Sequence, residues 1–418
     1  MADIPGPRSN FDDPDLRRRV FYTLGLLAVF RAGTYVPLPG ADAGALKSFV
    51  DAQAGGLLGF LDAFSGGALG RFSLFSLGAA PYVNAAIVAG LLKLGKGRRE
   101  RGEAARRLTL LFALLQSFGL ALAFARTPGG VSAIPRPDGL FYASTVLTMT
   151  AGALFVMWLC EEITESGIGG GALLIVFAGL VAHSLTGAGE LFRLVRVEDL
   201  GMSSALAITA ALLAFVLATI WVETAQRKLT VYYAKRVVGR RMYGGSSSAL
   251  PLKLEQSGIV AAVSAAVLAA SLAALALAAA GLFPHSGGEF AGWLARGSWV
   301  GDAIDAALIL LLCAYSGSKT VDPEELADQL KKSGGSIPGI RPGDSTARHL
   351  QWIRDRIGFD GAVFVAALAV LPDVLRRLLR LPFFFDGLPL LVIVGVSLDA
   401  MGRVEGFGIR RAYAKFLK

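Results

Sequence analysis

The sequence predicts an all-α polytopic membrane protein with ten transmembrane helices. The chain has 418 residues, of which 54% are hydrophobic and only 17% charged, whereas soluble globular proteins carry about 25% charged residues. The apolar residues also lie in long runs, and a helix needs roughly 20 of them to cross a bilayer. A shorter apolar piece precedes the second run and is too short to cross alone. The ten runs are 20–38, 73–92, 107–126, 141–160, 171–190, 203–222, 257–283, 301–318, 360–380 and 388–402.

The distribution of basic residues predicts the orientation of these spans. Residues 1–19 lack the short basic start, apolar stretch and small-residue cleavage site of a signal peptide, so the run from Val20 is expected to remain as a span. Most of the 41 Lys and Arg residues fall in the N-terminal segment, in every second loop and in the tail 403–418. Cytoplasmic segments carry such an excess. Both termini are therefore expected to be cytoplasmic.

The second apolar run and the residues before it have features that are unusual in an ordinary membrane-spanning helix. Gly66 and Gly67 loosen its approach, Arg71 places a charge beside it, Pro81 removes a backbone donor, and Asn84 adds a polar group. Lipid offers no partner for a freed backbone group, so such segments persist at membrane depth only against protein or a water-filled cavity. This stretch is therefore expected to line a passage.

Two long basic loops are predicted on the cytoplasmic side. In loop 223–256, the alternation in "KLTVYYAKRVV" predicts a strand-like arm with a Gly-Gly-Ser tip. In loop 319–358, Asp322 is a candidate N-cap before Pro323, and Gly334 is a candidate helix stop. The charges fit either attraction to anionic headgroups or a docking surface for a large charged partner, of which nucleic acid is one example.

The sequence contains no recognisable enzyme motif, and neither a cofactor nor a metal is expected. The glycines of "GKGRRERG" lack the Gly-Lys-Ser/Thr ending of a phosphate loop. Three carboxylates at the cytoplasmic end of the fourth span are expected to be solvated or to pair with a basic loop. The scattered histidines are His183, His285 and His349, and the carboxylates are Glu161, Glu162 and Glu165.

Two other classes of membrane protein remain as alternatives. A small-solute secondary transporter usually carries ionisable groups in mid-span, but the candidates Asp305 and Asp399 are expected near span ends, at headgroup level. An intramembrane protease would need a base beside Ser316 or Ser318, and none is evident. A passage with a movable wall is favoured over both.

Several segments closely resemble the SecY family of protein-conducting channel subunits. They follow one another in the family's order from about Pro37 to Asp399. They are "FSGGALGRFSLFSLGAAPYVNAAI", "EITESGIGGGALLIVFAGLVA", "VETAQRKLTVYYAKRVVGRRMYGG", "LPLKLEQSGIV", "DPEELADQLKKSGGSIPGIRPG" and "LPFFFDGLPLLVIVGVSLD".

The resemblance implies two five-helix halves of inverted topology, 20–190 and 191–402. It also implies that the piece at about 57–72 is a short re-entrant plug helix that closes the channel from outside. The plug residues carried over by match are Leu57, Phe60, Phe64, Gly66, Gly67 and Arg71.

The resemblance also implies an aliphatic pore ring halfway across the membrane. It falls on Val83 and Ile87 of the second span, Leu180 of the fifth, Val263 of the seventh and Val392 of the tenth. A lateral gate is implied between spans two and three and spans seven and eight, through which hydrophobic segments leave for lipid. Its residues by match are Pro81, Asn84, Gln256 and Ser257.

The implied function is passive conduction of unfolded secretory chains across the bacterial cytoplasmic membrane, with sideways release of membrane segments into the lipid bilayer. The implied partners are SecE-like and SecG-like small subunits, the ribosome, the preprotein and the SecA motor ATPase, whose nucleotide cycle would supply energy. The two long loops would be the docking site for SecA and the ribosome. Its residues by match are Lys235, Arg236, Arg240, Arg241 and Arg341.

Overall fold

The architecture was obtained as a computed structural model. It describes residues 14–40, 44, 50, 57–94, 97–125, 138–196, 202–233, 236–238, 241–243, 247–253, 259–282, 298–320, 323–379 and 387–416. Within these ranges the chain forms twelve helices and five short strands.

The elements follow one another in a largely helical order. The first six helices are α1 (Pro14–Gly33), α2 (Leu57–Ser65), α3 (Ala80–Leu91), α4 (Arg98–Ala125), α5 (Gly139–Ser166) and α6 (Gly171–Arg196). Then come α7 (Met202–Thr224), β1 (Gln226–Tyr233), β2 (Arg236–Val238), β3 (Arg241–Tyr243), β4 (Ser247–Lys253) and α8 (Ile259–Leu282). The last elements are α9 (Trp299–Thr320), α10 (Pro323–Ser333), β5 (Gly335–Ser336), α11 (Asp344–Leu379) and α12 (Gly387–Phe416).

A helix overlaps each of the ten predicted spans in whole or in part. By length and composition alone, four helical stretches in the described ranges are long and apolar enough to cross a membrane: 99–125, 139–166, 206–224 and 387–407. Helices α3 and the 171–185 part of α6 are apolar but shorter. The class of the fold is therefore as predicted, a mostly helical chain with several apolar helices.

The second predicted span differs from the structure at its start. The expected run was 73–92, but helix α3 begins only at Ala80, and residues 66–79 form successive turns. Pro81 lies in the first turn of α3, where its missing N–H would have had no helical partner anyway. Pro81 therefore lies at the start of a helix, where the donor that it removes leaves no gap in the helical hydrogen bonding.

Three other helices extend farthest beyond their apolar runs. Helix α4 begins at Arg98, before the run at 107, and α12 continues to Phe416 through the predicted tail. Helix α11 joins the end of the second basic loop to the ninth run as one helix of 36 residues. A helix can continue past the end of an apolar run, because polar residues with long straight side chains also favour the helical conformation.

The two basic loops form one small folded unit. Strand β1 pairs antiparallel with β4, so the predicted strand-like arm of the first loop is confirmed as a hairpin. β1 also pairs with β5 of the second loop through Tyr232 opposite Ser336. Helix α10 starts at Pro323 as predicted, and it ends at Ser333 before Gly334, whose φ is +75°; Asp322 is outside the described residues. Val231, Leu330 and Ile337 form the core of this unit.

The largest hydrophobic core lies where both halves of the chain meet. Its buried residues come from α1, α2, α3, α5 and α6, and from α8, α9, α11 and α12. A separate cluster packs α4 and α5 against the turns that follow α2. The first cluster contains the candidate site.

Candidate functional site

The structure brings the five predicted ring residues into one apolar cluster. Val83, Leu180, Val263 and Val392 are between 0% and 8% exposed, and Ile87 packs against the same cluster while partly buried. They come from α3, α6, α8 and α12, four helices that are distant in sequence. Purely aliphatic side chains offer no hydrogen bond to an ion or to water, so this centre is chemically suited to resist both.

Helix α2, which contains the first part of the predicted plug, packs against α6 and α8. Phe64 is 7% exposed and belongs to the cluster that holds the ring residues. Leu57 and Phe60 lie on α2, but their side chains are outside the described part of the chain. The helix thus lies beside two of the four helices that supply the ring.

The end of α2 meets α6 at a close contact between two glycines. A Cβ on Gly179 would lie 3.0 Å from the carbonyl oxygen of Phe64 and 3.2 Å from the nitrogen of Gly66. A Cβ on Gly66, whose φ is +70°, would lie 2.8 Å from the Cα of Gly179. Because Gly179 directly precedes Leu180, the end of α2 lies against α6 beside a ring residue.

Asp62 accepts two hydrogen bonds from the turns that follow α2. The backbone carbonyl of Asp62 accepts a hydrogen bond from the N–H of Gly67 at 2.8 Å, and its carboxylate accepts one from the N–H of Gly70 at 2.7 Å. Gly67 has a φ of +81°, a conformation that glycine adopts without steric cost. Arg71 follows with its guanidinium 4.2 Å above the ring of Tyr35. The residues after α2 are therefore compactly folded and attached to the end of α1.

Of the four predicted gate residues, the structure describes two. Pro81 and Asn84 are buried on α3, and the Nδ2 of Asn84 donates a hydrogen bond to the Oγ of Ser271 on α8. The Oδ1 of Asn84 is buried and finds no hydrogen-bond partner among the residues that the structure describes. Gln256 and Ser257 lie outside the described residues.

A small cavity adjoins this hydrogen bond. It lies between α2, α4, α6 and α8, and its walls include Phe64, Gln116, Val176 and Ser271. Gln116 is 5% exposed. A polar patch therefore lies between α3 and α4 on one side and α8 on the other, which is the predicted gate seam.

Three of the five predicted docking residues are described, and they lie in the two basic loops. Arg341 is exposed on the turn between β5 and α11, and the hydroxyl of Thr346 donates to its backbone carbonyl at 2.9 Å. Arg236 is on β2 opposite Tyr243, and Arg241 is on β3 opposite Val238. Lys235 and Arg240 fall outside the described residues.

The acidic group at the end of α5 pairs with other side chains. Arg106 donates to Glu161 at 2.8 Å, and the hydroxyl of Tyr22 donates to Glu162 at 2.7 Å. Of the two expectations for these carboxylates, pairing with a basic loop is therefore correct for Glu161. Glu165 is exposed.

The two aspartates that a solute carrier could use differ from each other. Asp399 is partly exposed and accepts a hydrogen bond from Arg403 at 2.8 Å. Asp305 is only 8% exposed in the second turn of α9. Because the Asp305 side chain is buried, the expectation that it is solvated at headgroup level was wrong. The side chains of Ser316 and Ser318 are outside the described part of the chain.

The sequence reasoning missed four residues of this region. Gly179 could not be identified because a glycine in an apolar helix forms no distinctive pattern. Ser271 could not be identified because single serines are common in such helices. Arg31 and Tyr35 contact Gly66 and Arg71 of the predicted plug. In the sequence they look like ordinary residues near the end of a span. The charge of Arg31 within the first apolar run was the one signal available.

Comparison with known proteins identifies the family of the chain. The SecY family model matches residues 73–401. A protein translocase subunit SecY from Escherichia coli K12 is 34% identical over 97% of this chain and 94% of its own length. The same subunit from Halalkalibacterium halodurans is 38% identical, with 97% of each chain covered.

Solved structures share the fold at low identity. One described as a protein conducting channel has a TM-score of 0.68 at 16% identity, covering 93% of this chain and 92% of its own. Sec61 from the canine ribosome-channel complex has a TM-score of 0.64, with the same identity and coverage. The family match spans most of the chain, and the relatives cover nearly all of it. The chain belongs to the SecY family.

Proposed function

We propose that this chain is the pore subunit of a bacterial protein translocase. It passes unfolded secretory polypeptides across the cytoplasmic membrane and releases transmembrane segments sideways into lipid. In this proposal ten helices span the membrane as two inverted halves, 20–190 and 191–402, a plan common among transporters. Both termini face the cytoplasm, in keeping with the excess of Lys and Arg on that side.

The observation that carries the proposal is the convergence of the ring residues. Five aliphatic side chains from α3, α6, α8 and α12 share one cluster, and the end of α2 lies against α6 beside that cluster. A single aliphatic residue in a membrane helix is ordinary packing. Aliphatic residues from four helices, with a short helix packed beside them, support a closed constriction with a plug.

The proposed mechanism follows from the chemistry of these parts. At rest the ring holds no water and therefore resists ions, and the plug segment 57–72 adds a second barrier. A translocating chain displaces the plug, and the ring closes around it by van der Waals contact because aliphatic side chains impose no sequence preference. A sufficiently apolar segment leaves between α3 and α8, where the hydrogen bond from Asn84 to Ser271 must break.

Energy comes from a partner in this proposal. Relatives are named translocase subunits, and one similar channel was solved in a ribosome complex. The paired loops, with Arg341 exposed between β5 and α11, offer a folded basic surface for the ribosome or for the SecA motor. Small SecE-like and SecG-like membrane subunits would cover part of the exposed apolar helix surface.

Site-specific photocrosslinking from Ile87 tests the pore assignment. Ile87 is replaced by a photoreactive residue in membranes that carry a stalled secretory chain, and the matched control is Ala86, the exposed neighbour on α3. We expect crosslinks to the secretory chain from position 87 and far fewer from position 86. An engaged chain that crosslinks at neither Ile87 nor Leu180 would refute the pore assignment.

A further inference from the structure

The last turn of α1 holds the end of α2 through a charged hydrogen bond. The Nη1 of Arg31 donates to the carbonyl oxygen of Gly66 at 2.8 Å. Gly66 directly follows α2 and lies against Gly179 of α6. The guanidinium of Arg31 is therefore placed where α2 meets the helix that supplies Leu180.

Tyr35 places two guanidinium groups beside one aromatic ring. The Cζ of Arg71 lies 4.2 Å from the ring centroid, and that of Arg31 lies 5.6 Å from it. The Nη2 of Arg31 also lies 3.5 Å from the Tyr35 hydroxyl. The Nη1 of Arg71 is buried, and no described residue offers it a hydrogen-bond acceptor. The aromatic face is therefore a main contact for the Arg71 charge in this position.

The plug segment 57–72 is attached at two points to α1 and the residues that follow it. At its C-terminal end, the N–H of Leu38 donates to the carbonyl of Phe72 at 2.8 Å, and the N–H of Leu74 donates to that of Val36 at 2.9 Å. These backbone bonds form a bridge between Pro37 and Ser73. At the end of α2, Gly66 is held to α1 by the Arg31 side chain. Backbone bonds fix the first point, whereas a side chain can release the second.

We propose that Arg31 and Tyr35 are positioning residues that latch the plug shut, Arg31 by holding the Gly66 carbonyl and Tyr35 by holding the Arg71 guanidinium. This inference rests on the proposed function, since it assigns a role to contacts of the plug. Opening moves α2 about the fixed 36–38/72–74 bridge, so the Arg31 bond breaks first. A channel without the latch spends more time with its plug displaced.

Thiol labelling measures plug displacement directly. Phe64, at 7% exposure, is replaced by cysteine in the full chain purified with its copurifying partners, and an impermeant thiol reagent is added to proteoliposomes. The two native cysteines, Cys160 and Cys313, are buried. We expect Arg31→Gln to speed labelling about tenfold or more, because hydrogen bonds to charged groups are the stronger ones. Tyr35→Leu should speed it about threefold to tenfold, and Arg31→Lys should restore part of the protection.

Arg17→Gln is the matched control, since Arg17 is exposed on the same helix. Thermal unfolding of each variant shows whether it is folded, and Ile87 photocrosslinking shows whether it still engages a secretory chain. Labelling unchanged in both Arg31→Gln and Tyr35→Leu, with crosslinking intact, overturns the latch and leaves the pore. Equal acceleration by Arg17→Gln also overturns it. Loss of Ile87 crosslinking in the parent chain overturns the pore assignment itself.

Discussion

Replacing Ser271 by alanine should make the channel open more readily. In the structure the Nδ2 of Asn84 on α3 donates to the Ser271 hydroxyl on α8, and within the described part of the chain the Asn84 Oδ1 already lacks a partner. The substitution leaves the whole Asn84 amide buried and unsatisfied. When the seam between α3 and α8 parts, water reaches that amide and removes the penalty.

The expected size follows from the burial of the two residues. Asn84 is 1% exposed and Ser271 is 8% exposed. Hydrogen bonds between membrane helices average about 0.6 kcal/mol and reach about 1.7, and an unsatisfied buried group costs roughly 1–3 kcal/mol. A shift of about 1–2 kcal/mol toward the open state is expected, and since about 1.4 kcal/mol is tenfold, the open-to-closed ratio should rise about fivefold to thirtyfold.

Single-channel recording in planar bilayers measures this ratio. The matched control is Ser117→Ala, since Ser117 lies 3.3 Å from Thr150 in an equally buried polar pair that joins α4 to α5 and does not cross the seam. Asn84→Leu removes the polar group entirely, so Ser271→Ala should have little effect in that background. An open fraction that stays the same or falls in Ser271→Ala would refute the reasoning, as would an equal rise in Ser117→Ala.

Three further predictions concern the plug, the docking loops and the acidic group. Gly179→Ala should increase ion leak, because its Cβ would lie 3.0 Å from the Phe64 carbonyl, whereas Gly189→Ala on the same helix meets nothing within 4 Å and should not. Arg341→Glu should weaken binding of a SecA-type motor in a salt-dependent way. It should not change the unfolding temperature, since Arg341 is exposed. If Arg341→Glu and the parent chain bind the motor equally well, Arg341 has no role in docking. Glu161→Gln should lower the free energy of unfolding by less than about 1 kcal/mol, since Arg106 is 54% exposed; a loss of several kcal/mol would mean that the pair is stronger than its exposure implies.

The long, uniformly apolar helices could be predicted from the sequence because composition alone decides them. The runs 141–160 and 203–222 predicted helices α5 and α7. Each helix starts within two residues of the start of its run and ends two to six residues after the end of its run. The start of α3 could not be predicted in this way. The turns before it contain Phe75 and Leu77, buried apolar residues that belong to the run although they lie in turns.

The candidate site was only partly accessible to sequence reasoning. The ring residues came from family resemblance, since single aliphatic residues carry no signal of their own. The partners of those residues depend on how helices meet in space, and the Asn84–Ser271 and Gly66–Gly179 contacts join positions that are far apart in sequence. No local sequence pattern indicates such a contact.

Helix α11 connects the small folded unit to the span predicted at 360–380. Its 36 residues extend over about 54 Å at roughly 1.5 Å per residue. Near its start, Ile353 and Ile357 pack against Leu229 and Leu250 of the β1–β4 hairpin, and the same helix packs against α9. In the proposed arrangement, a partner that binds the hairpin in the cytoplasm would therefore push on a helix that continues into the membrane beside α9.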